Sequence, residues 1–161
     1  MDLFVNQRIS LALVDAARLL REAFEHAFSD MKMTWPQIRI MSRIYAQEGI
    51  AQSELGAQLE FDAMTISRQV DRLVDLGLIE RRTEAHDRRL RSLYLTAHSR
   101  SKQEEILGLG QNVLRQALKD FDEEQQKLFL SMLLKMSDNL CEPGPYSAPQ
   151  KARTRYSDVR S

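Results

Sequence analysis

The chain has 161 residues, with 23 Lys and Arg balanced by 23 Asp and Glu, 43% apolar residues, three histidines and one cysteine. That length suits one domain, or one domain with an appended dimerisation unit. The zero net charge weighs mildly against a nucleic-acid binder, although where the charges sit matters more than their total. No charged-then-apolar leader opens the chain, no apolar run approaches a bilayer crossing, and a lone cysteine builds no intramolecular disulfide framework, so a cytoplasmic protein without a membrane role is expected.

Leu3 to Ser29 reads as a long helix on which Phe4, Leu11, Val14, Leu19, Leu20, Phe24, Ala27 and Phe28 spread a broad apolar surface. One narrow stripe is enough to dock a helix on its own core. The extra breadth points to a second subunit, the plainer alternative being a helix wholly buried in a monomer. Thr34-Trp35-Pro36-Gln37 opens the next helix. Thr34 and Gln37 stand at capping-box spacing, and Pro36 falls in the first turn, where a missing amide costs little. Ile38, Met41, Ile44 and Tyr45 supply its inward stripe, and Glu48-Gly49 ends it. Gln52 to Leu59 is a short helix with Leu55 and Leu59 one turn apart; Ala51 gives it no strong cap, so it depends on packing.

After the tight turn Glu60-Phe61, Asp62 to Gly77 is the most informative stretch. Asp62 suits an N-cap, and Gly77 suits the left-handed residue that ends a helix, with Leu78 folding back on Leu73. Ile66, Val70, Leu73 and Val74 share one face and point to a core. Thr65, Ser67, Arg68, Gln69 and Arg72 fall off that stripe and face solvent or a partner. Leu78 to Arg82 and Leu90 to Leu95 read as two strands. The second alternates, with Leu93 and Leu95 on one face and Ser92 and Tyr94 on the other, and Asp87-Arg88-Arg89 suits the hairpin tip. Five arginines fall between Arg81 and Arg91 against Glu84 and Asp87, so the basic charge gathers here. Two short helices, a tight turn and a hairpin make a winged helix-turn-helix.

Thr96 caps a further helix over Ser99 to Leu118, with Ile106, Leu107, Val113, Leu114 and Leu118 on one side. Gly108 and Gly110 within it mark a bend or a close helix crossing. Asp122 and Gln125 form a second capping pair, opening a last helix whose apolar face carries Leu128, Phe129, Met132, Leu133, Met136 and Leu140. Pro143-Gly144-Pro145 stops it, and the remainder, with Lys151, Arg153, Arg155 and Arg160, is expected to be a disordered basic tail.

The ordered set Gln52-Ser53-Glu54-Leu55, Thr65-Ile66-Ser67-Arg68, Asp71-Arg72-Leu73, Gly77-Leu78-Ile79, Asp87-Arg88-Arg89 and Leu95-Thr96 resembles the MarR family of dimeric winged-helix regulators, along about half of the chain. Two departures are Ala51, where the family usually has threonine or serine, and Ser99, where it often has glycine. The resemblance implies a mainly α fold with a small β-hairpin wing. Residues 1–33 would form an N-terminal dimerisation helix, 34–96 the winged helix-turn-helix, 97–141 C-terminal dimerisation helices and 142–161 the tail. It also implies a homodimer on double-stranded DNA at an inverted-repeat operator, responding to a small-molecule effector and usually repressing.

On that reading the start of the 62–77 helix enters the major groove, where Arg68 can pair bidentately with guanine. Thr65, Ser67 and Gln69 touch bases or phosphates, and Arg72 meets the backbone or Asp75. On the wing, Arg89 resembles the family arginine that enters the minor groove, Asp87 positions it, and Arg88 and Arg91 bind phosphate. The plainer reading of the wing is a solvated salt-bridge cluster. Trp35, Arg18, Arg21, His26 and Tyr45 lie where an effector could be met, although a tryptophan at a helix start more often packs. Cys141, beside Glu142, lacks the cationic neighbourhood of a reactive thiol, and His26, His86 and His98 lack metal spacing. No phosphate-cradling glycine loop, carboxylate pair or nucleophile set suggests an enzyme, and no cofactor or metal is expected. The rival readings are a winged helix used for protein interaction and a sequence-blind architectural DNA binder.

Overall fold

The computed structural model describes residues 3–83 and 91–141 of the chain. Seven helices and one hairpin follow in the order α1 (Leu3–Ala27), a 3-10 turn (Ser29–Met31), α2 (Trp35–Ala46), α3 (Gln52–Leu59), α4 (Ala63–Asp75), β1 (Ile79–Thr83), β2 (Arg91–Leu95), α5 (Ala97–Ser101), α6 (Gln103–Ala117) and α7 (Glu123–Cys141). Mainly helical with a two-stranded wing, it has the architecture expected from the sequence. The wing tip with Asp87, Arg88 and Arg89, Leu90, the Phe4 side chain and the 142–161 tail lie outside the described residues.

Local chemistry sets the boundaries. At the start of α2 the Thr34 amide donates to Gln37 Oε1 at 2.9 Å, completing the capping box, with Pro36 in the first turn. At the start of α7 the Gln125 amide donates to Asp122 Oδ1 at 2.8 Å, and the Asp122 amide donates to Gln125 Oε1 at 2.9 Å. α1 stops two residues short of Ser29, because Phe28 leaves the helix to join the core and the 3-10 turn follows. The helix expected over Ser99 to Leu118 is two helices. Thr96 caps α5 through Ser99, and the chain breaks at Lys102 before α6. The break is not at the glycines. Gly110 lies where α6 crosses α1, its missing Cβ 3.7 Å from Phe24 Cε1, whereas nothing approaches Gly108.

The core lies inside the winged helix, with Ile38, Ile40, Met41 and Ile44 of α2, Leu55 and Leu59 of α3, and Ile66, Val70 and Leu73 of α4 beneath Ile79, Leu93 and Leu95. Gly56 lets α3 approach α4 closely: a Cβ there would stand 3.2 Å from Ile66 Cγ2. The strands pair antiparallel, with Ile79 opposite Leu95 and Arg81 opposite Leu93. Ser92 does not face outward as alternation suggests; it is buried, because Ala51 bridges to it and the Leu93 amide donates to Ile50 O. Val74, expected inside, lies at the edge of the α4 stripe and is 36% exposed.

The terminal helices contrast with this core. Leu11, Val14 and Leu19 of α1 are exposed, as are Leu128, Phe129, Met132, Met136 and Leu140 of α7, and no residue of α7 is buried. Among the described residues no helix is long and apolar enough to cross a membrane.

Candidate nucleic-acid interface

The site centres on α4, whose two ends are fixed independently. At its start Asp62 accepts the Thr65 amide at 2.7 Å and the Thr65 hydroxyl at 2.8 Å, which holds the Asp62 carboxyl below the usual carboxylate range. At its end Gly77 takes φ +68°, its amide donates to Val74 O, and the Leu78 amide donates to Leu73 O. These two bonds are a Schellman ending with the Leu78 fold-back read from the sequence.

Ile66, Val70 and Leu73 fix the inward face of α4, so its outward face is determined. Arg68 and Arg72 are exposed there, and neither finds an acceptor among the described residues; Arg72 makes no pair with Asp75. Thr65 and Ser67 are half-buried at the edges of that face. Gln69 is not free: its Oε1 accepts Gln37 Nε2 at 3.2 Å, and Gln37 is itself buried, so Gln69 ties α4 to α2. On the wing Arg91 is exposed at the start of β2.

The structure adds a residue that the sequence reading passed over. Arg81, on β1, donates from Nε to Gln52 Oε1 of α3 at 2.9 Å and pairs through NH1 with Asp71 Oδ1 of α4 at 2.6 Å. A third contact reaches Ser67 O at 3.4 Å. One guanidinium thereby joins both helices to the wing, using a fork geometry that lysine lacks. Its partners lie 10, 14 and 29 residues away, so no local spacing reveals it.

A second clamp holds the far side. Glu48, just after α2, accepts the Leu95 amide at 2.8 Å and pairs with Arg100 of α5, and Arg100 is also within 3.2 Å of Leu95 O. The Arg100 hydrogen bond is the largest of the effects that lower the Glu48 carboxyl pKa, against partial desolvation. Behind the winged helix, a cleft of about 270 Å³ opens between α1, α2 and α6, walled by Phe24, Met41, Tyr45, Ile106 and Leu114 among others. Tyr45, one of the residues considered for an effector, lines it, and burial raises its phenol pKa. Trp35 instead packs on Phe24, with ring centres 5.3 Å apart. Arg18 pairs with Asp15 and Glu22 on the exposed side of α1.

Cys141 is a free, partly buried thiol at the end of α7. Among the described residues no group of His, Cys, Asp and Glu is arranged to hold a metal.

Known proteins share this fold. Residues 33–90 match the model of the MarR family. The transcriptional regulator HosA of Escherichia coli is 28% identical over 113 residues, 70% of this chain and 82% of that one. A crystal structure of MarR superposes with a TM-score of 0.71 at 27% identity, over 81% of this chain and 88% of the other. A mutant MarR from E. coli complexed with operator DNA superposes with a TM-score of 0.71 at 22% identity, over 84% and 99% of the two chains. The winged-helix region therefore matches the MarR family model, and with the terminal helices it has the fold of solved MarR-family regulators.

Proposed function

We propose that the chain is a sequence-specific, DNA-binding transcriptional regulator that acts in the cytoplasm as a homodimer, by repression at an inverted-repeat operator. The observation that carries this reading is α4, a helix held at both ends and by Arg81, which presents Arg68 and Arg72 outward without partners among the described residues. A major groove admits such a helix, Arg68 can read guanine, and Arg72 can meet phosphate. Thr65 and Ser67 stand at the contact edge, Gln69 supports the helix from behind, and Arg91 binds phosphate from the wing. Arg89 enters the minor groove, positioned by Asp87 and flanked by Arg88. The operator complex of the E. coli relative supports the same use of the fold.

The exposed apolar residues of α1 and α7 support the dimer, because apolar side chains grouped on a helix face mark an interaction surface. Two copies set half-sites about one helical turn apart. The apolar cleft beside Tyr45 suits a small aromatic or aliphatic effector, which regulates only if it binds one spacing of the two α4 helices better than the other.

The test is selection of bound duplexes from a random pool at fixed salt, with Arg68→Ala and Arg89→Ala alongside, and mass photometry of the free protein. An inverted repeat bound by a dimer, with affinity lost in both variants and their folding intact, supports the reading. Unchanged affinity in both variants sinks it, and absence of any DNA binding favours the protein-interaction module.

A further inference from the structure

The first turn of α4 carries an apolar side chain that the core does not use. Met64 is 82% exposed, the most exposed large apolar residue among those described. At about 100° per residue it stands roughly 180° around the helix from the buried Leu73 and one turn before Arg68, so Met64 and Arg68 project together. Isolated apolar residues are common on surfaces. This one, however, occupies the N-terminal part of the outward face, which in helix-turn-helix docking reaches base edges.

Its chemistry narrows what it can meet there. A thioether has no donor and is a weak acceptor, so methionine cannot form the bidentate pairs that distinguish guanine or adenine. The apolar feature of the major groove is the thymine 5-methyl group, and a flexible, polarisable side chain can pack on it. We propose that Met64 is a specificity-determining residue that reads a thymine methyl in each half-site, beside the base read by Arg68. The inference rests on the reading of α4 as the groove-facing helix and adds to it a second, apolar element of recognition. From the free energy of burying one methyl-sized group, removing one such contact weakens binding about fourfold, and removing it from both half-sites about fifteenfold.

The experiment uses the full chain and its selected operator at fixed salt. Each symmetric pair of thymines is replaced in turn by deoxyuridine, which deletes only the methyl, and affinity is measured for the wild type and for Met64→Ala. The wild type is expected to lose about fifteenfold at one thymine pair. Met64→Ala is expected to lose a similar factor on the unmodified duplex and little more when that methyl is removed. The inference is overturned if every thymine can be replaced without loss, or if methyl removal costs the variant as much as the wild type. The deletion on the DNA leaves the protein unaltered, and the exposure of Met64 spares the fold in the variant. Sequence-blind binding by the wild type overturns the groove reading and this inference together, whereas a sequence-specific operator without methyl coupling overturns this inference alone.

Discussion

Replacing Arg81 by methionine keeps a long apolar stem under the wing and removes the guanidinium that joins β1 to α3 and α4. The Arg81 side chain is 21% exposed. Its 2.9 Å bond to Gln52 is therefore a partly buried, charge-assisted contact, contributing about 1.5 kcal/mol. Asp71 is 57% exposed, and a pair so open to water contributes about 0.5 kcal/mol despite its 2.6 Å separation. The 3.4 Å approach to Ser67 O is too long to add more than a few tenths of a kcal/mol. Arg81→Met should therefore cost about 2 kcal/mol, which the usual unfolding entropy per residue turns into a fall of about 6 °C in Tm for a chain of this length. Thermal melts at fixed protein concentration read this directly, since a dimer's Tm depends on concentration. Adding Gln52→Ala to the variant should cost little more, because both changes remove one bond. Operator affinity should fall as well, since α4 loses its tie to the wing. An unchanged Tm, or a Gln52→Ala effect that adds in full, would refute the account of Arg81 as the hub.

Two further predictions follow from the clamp and the helix ending. The Glu48 carboxyl is held below its ordinary pKa chiefly by Arg100, so its contribution to stability is present above the unfolded-state pKa and is lost as pH falls through the lower folded value. Glu48→Gln should accordingly be less stable than the wild type at neutral pH, with the gap closing below about pH 4 in urea titrations. A gap that persists in acid would contradict the ionic origin. Gly77 has φ +68° with open space where a Cβ would stand, so Gly77→Ala should cost about 1–2 kcal/mol in backbone strain alone. Gly77→Asn should cost less, because asparagine tolerates the left-handed region; equal losses for the two would point to packing instead.

What the sequence disclosed and what it hid divide along physical lines. α4 was legible because its signals are local: a capping carboxylate, three apolar residues at helical spacing, and a glycine with a leucine after it. The same holds for the Thr34–Gln37 and Asp122–Gln125 boxes, each closed within one turn. Hidden features depend on partners distant in sequence. Ser92 is buried because Ala51 and Ile50 lie along β2, which alternation within the strand cannot reveal. Spacing alone puts Gln69 off the inward stripe, yet its Oε1 accepts from Gln37, 32 residues away on another helix. Val74 fits the α4 stripe by spacing but sits at its margin, where no neighbouring element covers it fully. The helix expected from Ser99 onward breaks at Lys102, with Ser99 buried before the break and Ile106 after it.

Ser99 shows how the cleft and α4 are joined. Its hydroxyl donates to Leu78 O, at the residue that closes the α4 ending, and its own carbonyl accepts the Tyr45 hydroxyl at 3.3 Å. Tyr45 lines the cleft, so a short chain of hydrogen bonds runs from the cleft wall through α5 to the end of α4. Leu78 O also accepts the Thr96 amide at 3.2 Å, so Ser99→Ala leaves that carbonyl with a partner and should cost only about 1 kcal/mol. Tyr45→Phe removes a longer bond and should cost less still. If this chain helps to set where α4 stands, both changes should alter operator affinity although neither residue belongs to the outward face of α4, and together they should act less than additively. Fluorescence anisotropy on the selected operator measures the affinities, and urea titration measures the stabilities. Variants that lose stability while binding the operator with wild-type affinity would show that the bonds only hold the fold, leaving the packing of α6 against α1 as the physical route by which an occupant of the cleft could act on α4.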